Sequence, residues 1–153
     1  MYPLTHAIVG AIASLLIWIL FPSVSAWQVW IIFASSVLID VDHYLWYAIK
    51  KKDWSLRRAY QWHVKKSEIF KKMSEKERSK YRHLIMIFHG IEFWLFLILL
   101  IFLDEVFLFV LIGIAIHMTL DYIDMYRWGV PFYSKTSQIY THTRNKKKEK
   151  VLE

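Results

Sequence analysis

The sequence predicts an all-α integral membrane protein, a four-helix bundle made of two antiparallel transmembrane hairpins. Hydrophobic residues make up 56% of the 153 residues, which is more than a soluble domain of this length usually contains. All 20 Lys and Arg residues fall within 50–82 and 127–150, so two long stretches have none. Each of these stretches holds two apolar runs close to the roughly 20 residues that a helix needs to cross a bilayer.

Four membrane spans follow from these apolar runs. The first, residues 4–21, is ended by Pro22, and the second, residues 26–49, becomes polar at its end. The third and fourth are residues 84–103 and 106–126. The connectors inside each pair are four and two residues long. Connectors this short place the paired helices antiparallel and side by side.

The basic residues predict the orientation of the chain. They lie in the connector 50–83 and the polar tail 127–153, and cytoplasmic loops of membrane proteins carry such an excess. We therefore expect both termini and the connector in the cytoplasm, within one membrane-embedded helical domain, 1–153. The first span lacks a basic leader and a small-residue cleavage site, so it is expected to be retained.

The connector is predicted to form amphipathic helices. Ser74-Glu-Lys-Glu77 is typical of a capping box that opens a short helix. Aromatic residues interleave with Lys and Arg along the connector, which suits contact with membrane lipids that have anionic head groups. A simple solvated loop is the alternative. Because orientation in the membrane accounts for the basic residues, nucleic acid is not an expected partner.

Ionisable residues interrupt every predicted span at one end, and antiparallel helices bring these ends to the same side of the membrane. Such residues cost a few kcal/mol each inside a bilayer unless they are paired or face a cavity. A bound cation would compensate them together, and a chain without cysteine must hold it with His and carboxylate. The predicted metal ligands are His6, Asp40, Asp42, His43, His89, His117 and Asp121.

Helical spacing supports this prediction, although each residue also has a simpler interpretation. His117 and Asp121 are four residues apart and share a face. His89 and Glu92 are three apart and could instead form a buried hydrogen-bonded pair without metal. His6 alone would most often be an interfacial residue.

Small residues and basic surroundings predict two further features. Gly10 and Gly113 would let neighbouring helices approach closely enough for ligands to converge. His63, His83 and His142 lie among Lys and Arg and are expected to be solvated, although His83 could support the metal ligands from outside.

The motifs resemble those of the membrane-bound metal-dependent hydrolases, a family whose bacterial members include LexA-regulated inner-membrane proteins. The resemblance rests on four motifs in the same order. One departs from the family, because many members have His-Arg-x-x-Thr-His where this chain has Phe-His-Gly-Ile-Glu. The motifs are Thr5-His6, Asp40-Val-Asp-His43, Phe88-His-Gly-Ile-Glu92 and His117-Met-Thr-Leu-Asp121.

The family is itself distantly similar to zinc-dependent phospholipase C. The resemblance therefore implies an enzyme that uses one or more Zn²⁺ ions, or another divalent metal, to hydrolyse a phosphoester. The substrate would be a lipid or a lipid-linked molecule at the cytoplasmic face. Asp40 or Asp42 would bridge metals, and Glu92, or a carboxylate left without metal such as Asp42, would act in catalysis as the general base.

Two other functions stay open from the sequence. A metal-ion or proton transporter also places Asp and His inside a membrane, but it needs them on both sides of the midplane. The outer halves of the predicted spans are nearly free of polar residues, which favours an enzyme. A non-catalytic scaffold with a structural metal would have a similar sequence, and it would differ by lacking an open coordination position.

Overall fold

The computed structural model describes residues 3–148, apart from the side chain of residue 75. The described residues contain helices and no strand. Residues 87–89 form a single 3₁₀ turn. The α-helices are α1 (Pro3–Leu20), α2 (Ala26–Leu38), α3 (Val41–Lys51), α4 (Leu56–Lys72), α5 (Glu75–Arg78), α6 (Ile91–Ile101), α7 (Val106–Trp128), α8 (Tyr133–Thr136) and α9 (Gln138–Asn145).

Three helical segments are long and apolar enough to cross a membrane: Pro3–Leu20, Ala26–Lys51 and Val106–Trp128. They correspond to the first, second and fourth predicted spans. Large apolar side chains on the helices are exposed, for example Ile19 at 72% and Leu99 at 66%. An apolar surface of this kind is expected to face lipid. These features indicate a membrane protein.

The third predicted span, residues 84–103, forms a shorter helix. Helix α6 has 11 residues, which gives a length of about 16 Å, whereas the hydrocarbon core is about 30 Å thick. The helix begins at Ile91 because Gly90 is extended, with ψ 149°. Residues 83–86 are also not helical and bind side chains of α9, as described below. The predicted four-helix transmembrane bundle is therefore not confirmed.

The chain divides into two compact units. Within the described range, unit one consists of residues 3–40 and 91–124, and unit two of residues 41–90 and 125–148. Unit one has no Lys or Arg. Unit two, extended to residue 153, holds all 20 of them and seven of the 13 acidic residues, a formal charge of +13. The prediction of a single domain stays a prediction.

In unit one, helix α2 packs closely against α1 and α7 through glycines. A Cβ atom at Gly10 would overlap the Ser36 hydroxyl, and one at Gly113 would overlap the Ile32 carbonyl oxygen and the Ser35 hydroxyl. The predicted role of both glycines is confirmed. Because the helix backbones approach this closely, polar side chains at one end of these helices can meet.

In unit two, α3 packs against α4 around Trp62. The Trp62 ring stacks on Trp46 with centroids 5.3 Å apart, and the small residues Ala48 and Ala59 are 1% and 3% exposed. The predicted capping box is confirmed as well, since the Glu77 carboxylate accepts from the Ser74 amide at 2.9 Å.

Residues 83–86, here called the His83 segment, are held by side-chain amides of α9. Asn145 accepts from the His83 amide at 2.9 Å and donates to the His83 carbonyl at 2.8 Å. The Gln138 side chain accepts from the Met86 amide at 2.9 Å. The His83 ring packs against Phe70 and Tyr133. The expectation that His83 is solvated is therefore wrong.

We expect the contact between α9 and the His83 segment to weaken as the pH falls from 6.5 to about 4. Burial, with a smaller effect from Lys148, lowers the pKa of His83 from 6.5 to about 4. As the pH falls, His83 is protonated in the unfolded chain before it is protonated in the folded protein. The stability that the buried neutral ring contributes is therefore fully present above pH 6.5 and is lost towards pH 4. The loss should reach roughly 3 kcal/mol.

Hydrogen exchange of the α9 amides, corrected for intrinsic rates, measures this loss across the pH range. The variant His83→Gln, which cannot titrate, is the control and should show a flat profile. Equal α9 protection at pH 7 and pH 4.5 in the unmodified protein would contradict the assignment.

Candidate metal centre

Four ionisable side chains of unit one converge at one end of its helices. One ligand atom each from His6, Asp40 and His117 lie within 4.8 Å of one another. Asp121 joins them, with Oδ1 3.6 Å from Nε2 of His6 and Oδ2 3.4 Å from Nε2 of His117. We call these four residues the unit-one cluster. Helix α1 contributes His6, the end of α2 leads into Asp40, and α7 presents the other two on one face.

The distances within the cluster match ligands that share one ion. Nε2 of His117 lies 3.5 Å from Asp40 Oδ1 and 3.4 Å from Asp121 Oδ2. A hydrogen bond would bring such atoms to about 2.7–3.2 Å. Two ligands that are each about 2.0–2.1 Å from a tetrahedral ion lie about 3.3–3.4 Å apart. These two distances therefore fit ligands of a common cation.

The orientation of the His117 ring also fits a metal ligand. Its Nδ1 lies 2.8 Å from the Ser36 carbonyl oxygen. A carbonyl only accepts, so Nδ1 carries the hydrogen and donates. In a neutral ring this leaves the lone pair on Nε2, the atom next to the two carboxylates. Metal-binding histidines are commonly held in this way by a carbonyl on the opposite nitrogen.

The charges of the cluster suit a bound cation. His6, His117 and Asp121 are 2%, 1% and 3% exposed. Unit one contains no Lys or Arg, so no basic side chain of that unit can neutralise the two carboxylates. Carboxylates in a buried site are stabilised by a nearby positive charge. A divalent ion would balance the two formal negative charges.

The two imidazoles of the cluster lie against each other. His6 stacks on His117 with ring centroids 3.9 Å apart and planes 15° apart. Two protonated rings at this separation would repel each other, whereas neutral imidazole is the form that binds metal. In addition, His6 Nδ1 is buried and has no hydrogen-bond partner among the described residues. Such atoms are rare in proteins and are usually satisfied by an ordered water.

A second set of predicted ligands lies in unit two. Asp42 Oδ2 accepts from His89 Nδ1 at 3.0 Å and from the Phe88 amide at 3.2 Å. This carboxylate therefore orients the His89 ring, as carboxylates outside many metal sites do. The other oxygen, Oδ1, is buried and has no hydrogen-bond partner among residues 3–148. The His43 and His89 rings meet edge to face, with centroids 5.3 Å apart.

The sequence prediction missed His63. Its Nε2 donates to the His43 carbonyl oxygen at 2.8 Å, and the two rings are 5.1 Å apart. His63 is half-buried, so the expectation that it is solvated is wrong. The sequence did contain a sign of this, because Ala59 and Trp62 mark the inner face of α4 and His63 lies next to that face. We call Asp42, His43, His63 and His89 the unit-two cluster.

The remaining predicted residues lie outside these clusters. Glu92, the predicted general base, is half-buried in the first turn of α6. His142 is exposed, as expected. The seven predicted ligands thus divide into four in unit one and three in unit two. That all seven share one centre stays a prediction.

No protein-family model matches this chain, and neither a curated protein nor a solved structure matches it.

Proposed function

We propose that this protein is a membrane-embedded, metal-dependent hydrolase that cleaves a phosphoester in a lipid or lipid-linked substrate. The observation that carries the proposal is the environment of His117. Its Nδ1 donates to a carbonyl, and its Nε2 lies 3.4 and 3.5 Å from two carboxylates. A set of His and Asp ligands without thiolates is typical of catalytic zinc and related divalent metals.

The unit-one cluster would hold the ion. When bound, Zn²⁺ supplies a water of near-neutral pKa and offsets the negative charge of a phosphate. The Ser36 carbonyl keeps the His117 ring in the ligating orientation, and burial of His6 and Asp121 excludes bulk water. Asp40 is the most exposed of the four, with 26% of its side chain accessible. The substrate would therefore approach past Asp40.

Residues of unit two would also take part in the proposed enzyme. Asp42 orients the His89 ring through Nδ1, which leaves Nε2 as the ligating nitrogen if His89 binds metal. We keep Glu92 as the candidate general base, and Asp42 as the alternative. Either carboxylate would take a proton from the attacking water.

The orientation in the membrane belongs to the same proposal. All 20 Lys and Arg residues lie in unit two, and the side of the membrane that carries such residues is usually the cytoplasmic side. We propose that both termini and residues 50–83 are cytoplasmic and that the metal centre lies near that face. The basic residues would attract anionic head groups rather than nucleic acid.

A transporter fits the structure less well. Among the described residues of unit one, the buried ionisable side chains are His6, His117 and Asp121. All three belong to one cluster, whereas a conduit needs ionisable groups distributed across the membrane. A scaffold with a structural metal would lack an open coordination position and would show no turnover.

Hydrolysis by the metal-loaded protein tests the proposal. We expect turnover of at least one substrate in a panel of phospholipids and generic phosphodiesters, and loss of turnover when a chelator removes the metal. Asp121→Asn should lower turnover by about 100-fold or more. Glu105→Gln makes the same chemical change at an exposed site and should leave turnover unchanged.

Two results would contradict the proposal. Absence of turnover with every substrate, in protein that holds metal, would favour a scaffold. Equal turnover in Asp121→Asn and the unmodified protein would remove the unit-one cluster from the reaction.

A further inference from the structure

The turn between α3 and α4, residues 52–55, is built around one carboxylate. Asp53 accepts from the Tyr47 hydroxyl at 2.6 Å and from two guanidinium nitrogens of Arg58 at 2.6 Å each. It also accepts from the Ser55 amide at 3.1 Å. Hydrogen bonds from Arg58 hold the pKa of Asp53 well below its usual range. The carboxylate is therefore charged and fully engaged at neutral pH. We call residues 52–55 the Asp53 turn.

The backbone of the Asp53 turn is fixed as well. The Trp54 carbonyl accepts from the Tyr44 hydroxyl at 2.9 Å, and Lys52 takes the left-handed conformation with φ 53°. A turn with this many contacts holds one conformation. Side chains that point outwards from this turn are therefore held in exposed positions by its hydrogen bonds.

Two large apolar side chains are exposed at this turn. Trp54 is 66% and Leu56 is 68% exposed. Neighbouring apolar groups kept outside by a rigid turn mark a contact surface. Exposed basic residues lie close to them in the sequence: Lys50, Lys51, Lys52 and Arg57.

The chain itself determines what lies next to this surface. The candidate span Ala26–Lys51 ends three residues before Trp54, and three residues reach at most about 10 Å. If this segment crosses the membrane, Trp54 must lie near the boundary between lipid and water. Trp is enriched at that boundary, because its ring is apolar and its N–H needs a polar partner.

We propose that the Asp53 turn docks onto the surface of an anionic bilayer. Trp54 and Leu56 enter the interfacial region, and the Lys and Arg side chains close to them in the sequence bind lipid phosphates. The Asp53 carboxylate acts as a positioning group, since its contacts prevent the apolar pair from folding back onto the protein. This inference requires the membrane location and is independent of the metal centre.

Site-directed labelling tests the docking, because the chain has no cysteine and a single one can be introduced. Trp54→Cys and Leu56→Cys carry a small fluorophore in the full-length protein, reconstituted in nanodiscs that contain phosphatidylglycerol. Gln61→Cys is the control, since this residue is exposed on α4, about 140° around the helix from Leu56.

We expect labels at 54 and 56 to be quenched by lipids with brominated chains. Acrylamide in the water should quench them roughly threefold less than the label at 61. In nanodiscs of phosphatidylcholine alone, or after Lys50, Lys51 and Lys52 are changed to Gln, the protection from acrylamide should fall. Asp53→Asn should also lower it while the helical circular dichroism is unchanged.

Equal quenching by acrylamide at positions 54, 56 and 61 in anionic nanodiscs would overturn the docking. Protection that is the same in phosphatidylcholine would overturn the role of anionic head groups. Protection unchanged by Asp53→Asn would overturn the positioning role of Asp53.

Discussion

Replacing His117 with Ala should remove tight metal binding from the protein. The imidazole lies next to Asp40 and Asp121, and its tautomer is set by the Ser36 carbonyl. We expect the metal affinity to fall by at least about 100-fold, because even partners outside the ligand set are worth 10- to 100-fold in many metal sites. Competition with a chromophoric chelator measures the affinity, and elemental analysis gives the stoichiometry.

His142→Ala is the matched control for this experiment. It removes an imidazole from an exposed position of α9 and should leave the affinity unchanged. Helical circular dichroism of both variants should equal that of the unmodified protein. Equal metal affinity in His117→Ala and the unmodified protein would show that His117 is not a metal ligand, which contradicts the assignment of the unit-one cluster.

Replacing Gly113 with Ala should cause the largest loss of stability in unit one. The new methyl group would overlap the Ile32 carbonyl oxygen and the Ser35 hydroxyl, and the carbonyl belongs to the backbone of α2. Helix α7 would have to move away, at a cost of about 3 kcal/mol or more. Because Gly113 is one turn before His117, metal binding should weaken as well.

Gly10→Ala is the matched control, because its methyl group would overlap mainly the Ser36 hydroxyl. A hydroxyl can rotate away, so we expect less than half the loss of stability. Unfolding in mixed micelles at increasing denaturant measures both variants. If Gly113→Ala unfolds at the same denaturant concentration as Gly10→Ala, the tight contact between α7 and α2 is not present in the membrane protein.

The membrane segments could be predicted from hydropathy because their signal is local. Each of the three candidate spans is an apolar run with no Lys or Arg before its end. The run from Leu84 is also apolar but forms a helix only from Ile91. Its beginning is decided by Asn145 and Gln138, which lie 62 and 52 positions away. Within the run, only Gly90 hints at a break, and the contacts with α9 leave no pattern there.

The metal centre was predictable in part for the same reason. The spacing of His117 and Asp121 places both on one face of α7, and the structure brings them together. His6 had little signal of its own, and its stacking on His117 and its contact with Asp121 tie it to the cluster. The Ser36 carbonyl that orients His117 had no signal at all, since every residue has a carbonyl.

In the basic connector, the sequence led to a wrong prediction of solvent exposure. His63 and His83 lie among Lys and Arg in the sequence, which predicted that both rings would be exposed to solvent. Both rings are instead packed against aromatic side chains, His63 on Trp62 and His83 on Tyr133. Basic residues of amphipathic helices lie on the outer face. The residues of the inner face can be identified only when the helical periodicity is followed through the whole connector.

X-ray absorption at the edge of the bound metal tests the central claim most directly. We expect the purified protein to contain a divalent transition metal with nitrogen and oxygen ligands at about 2.0–2.1 Å and outer-shell scattering from imidazole. The imidazole signal should decrease in both His6→Ala and His117→Ala. Protein that contains no tightly bound metal, or a spectrum without imidazole scattering, would contradict the account.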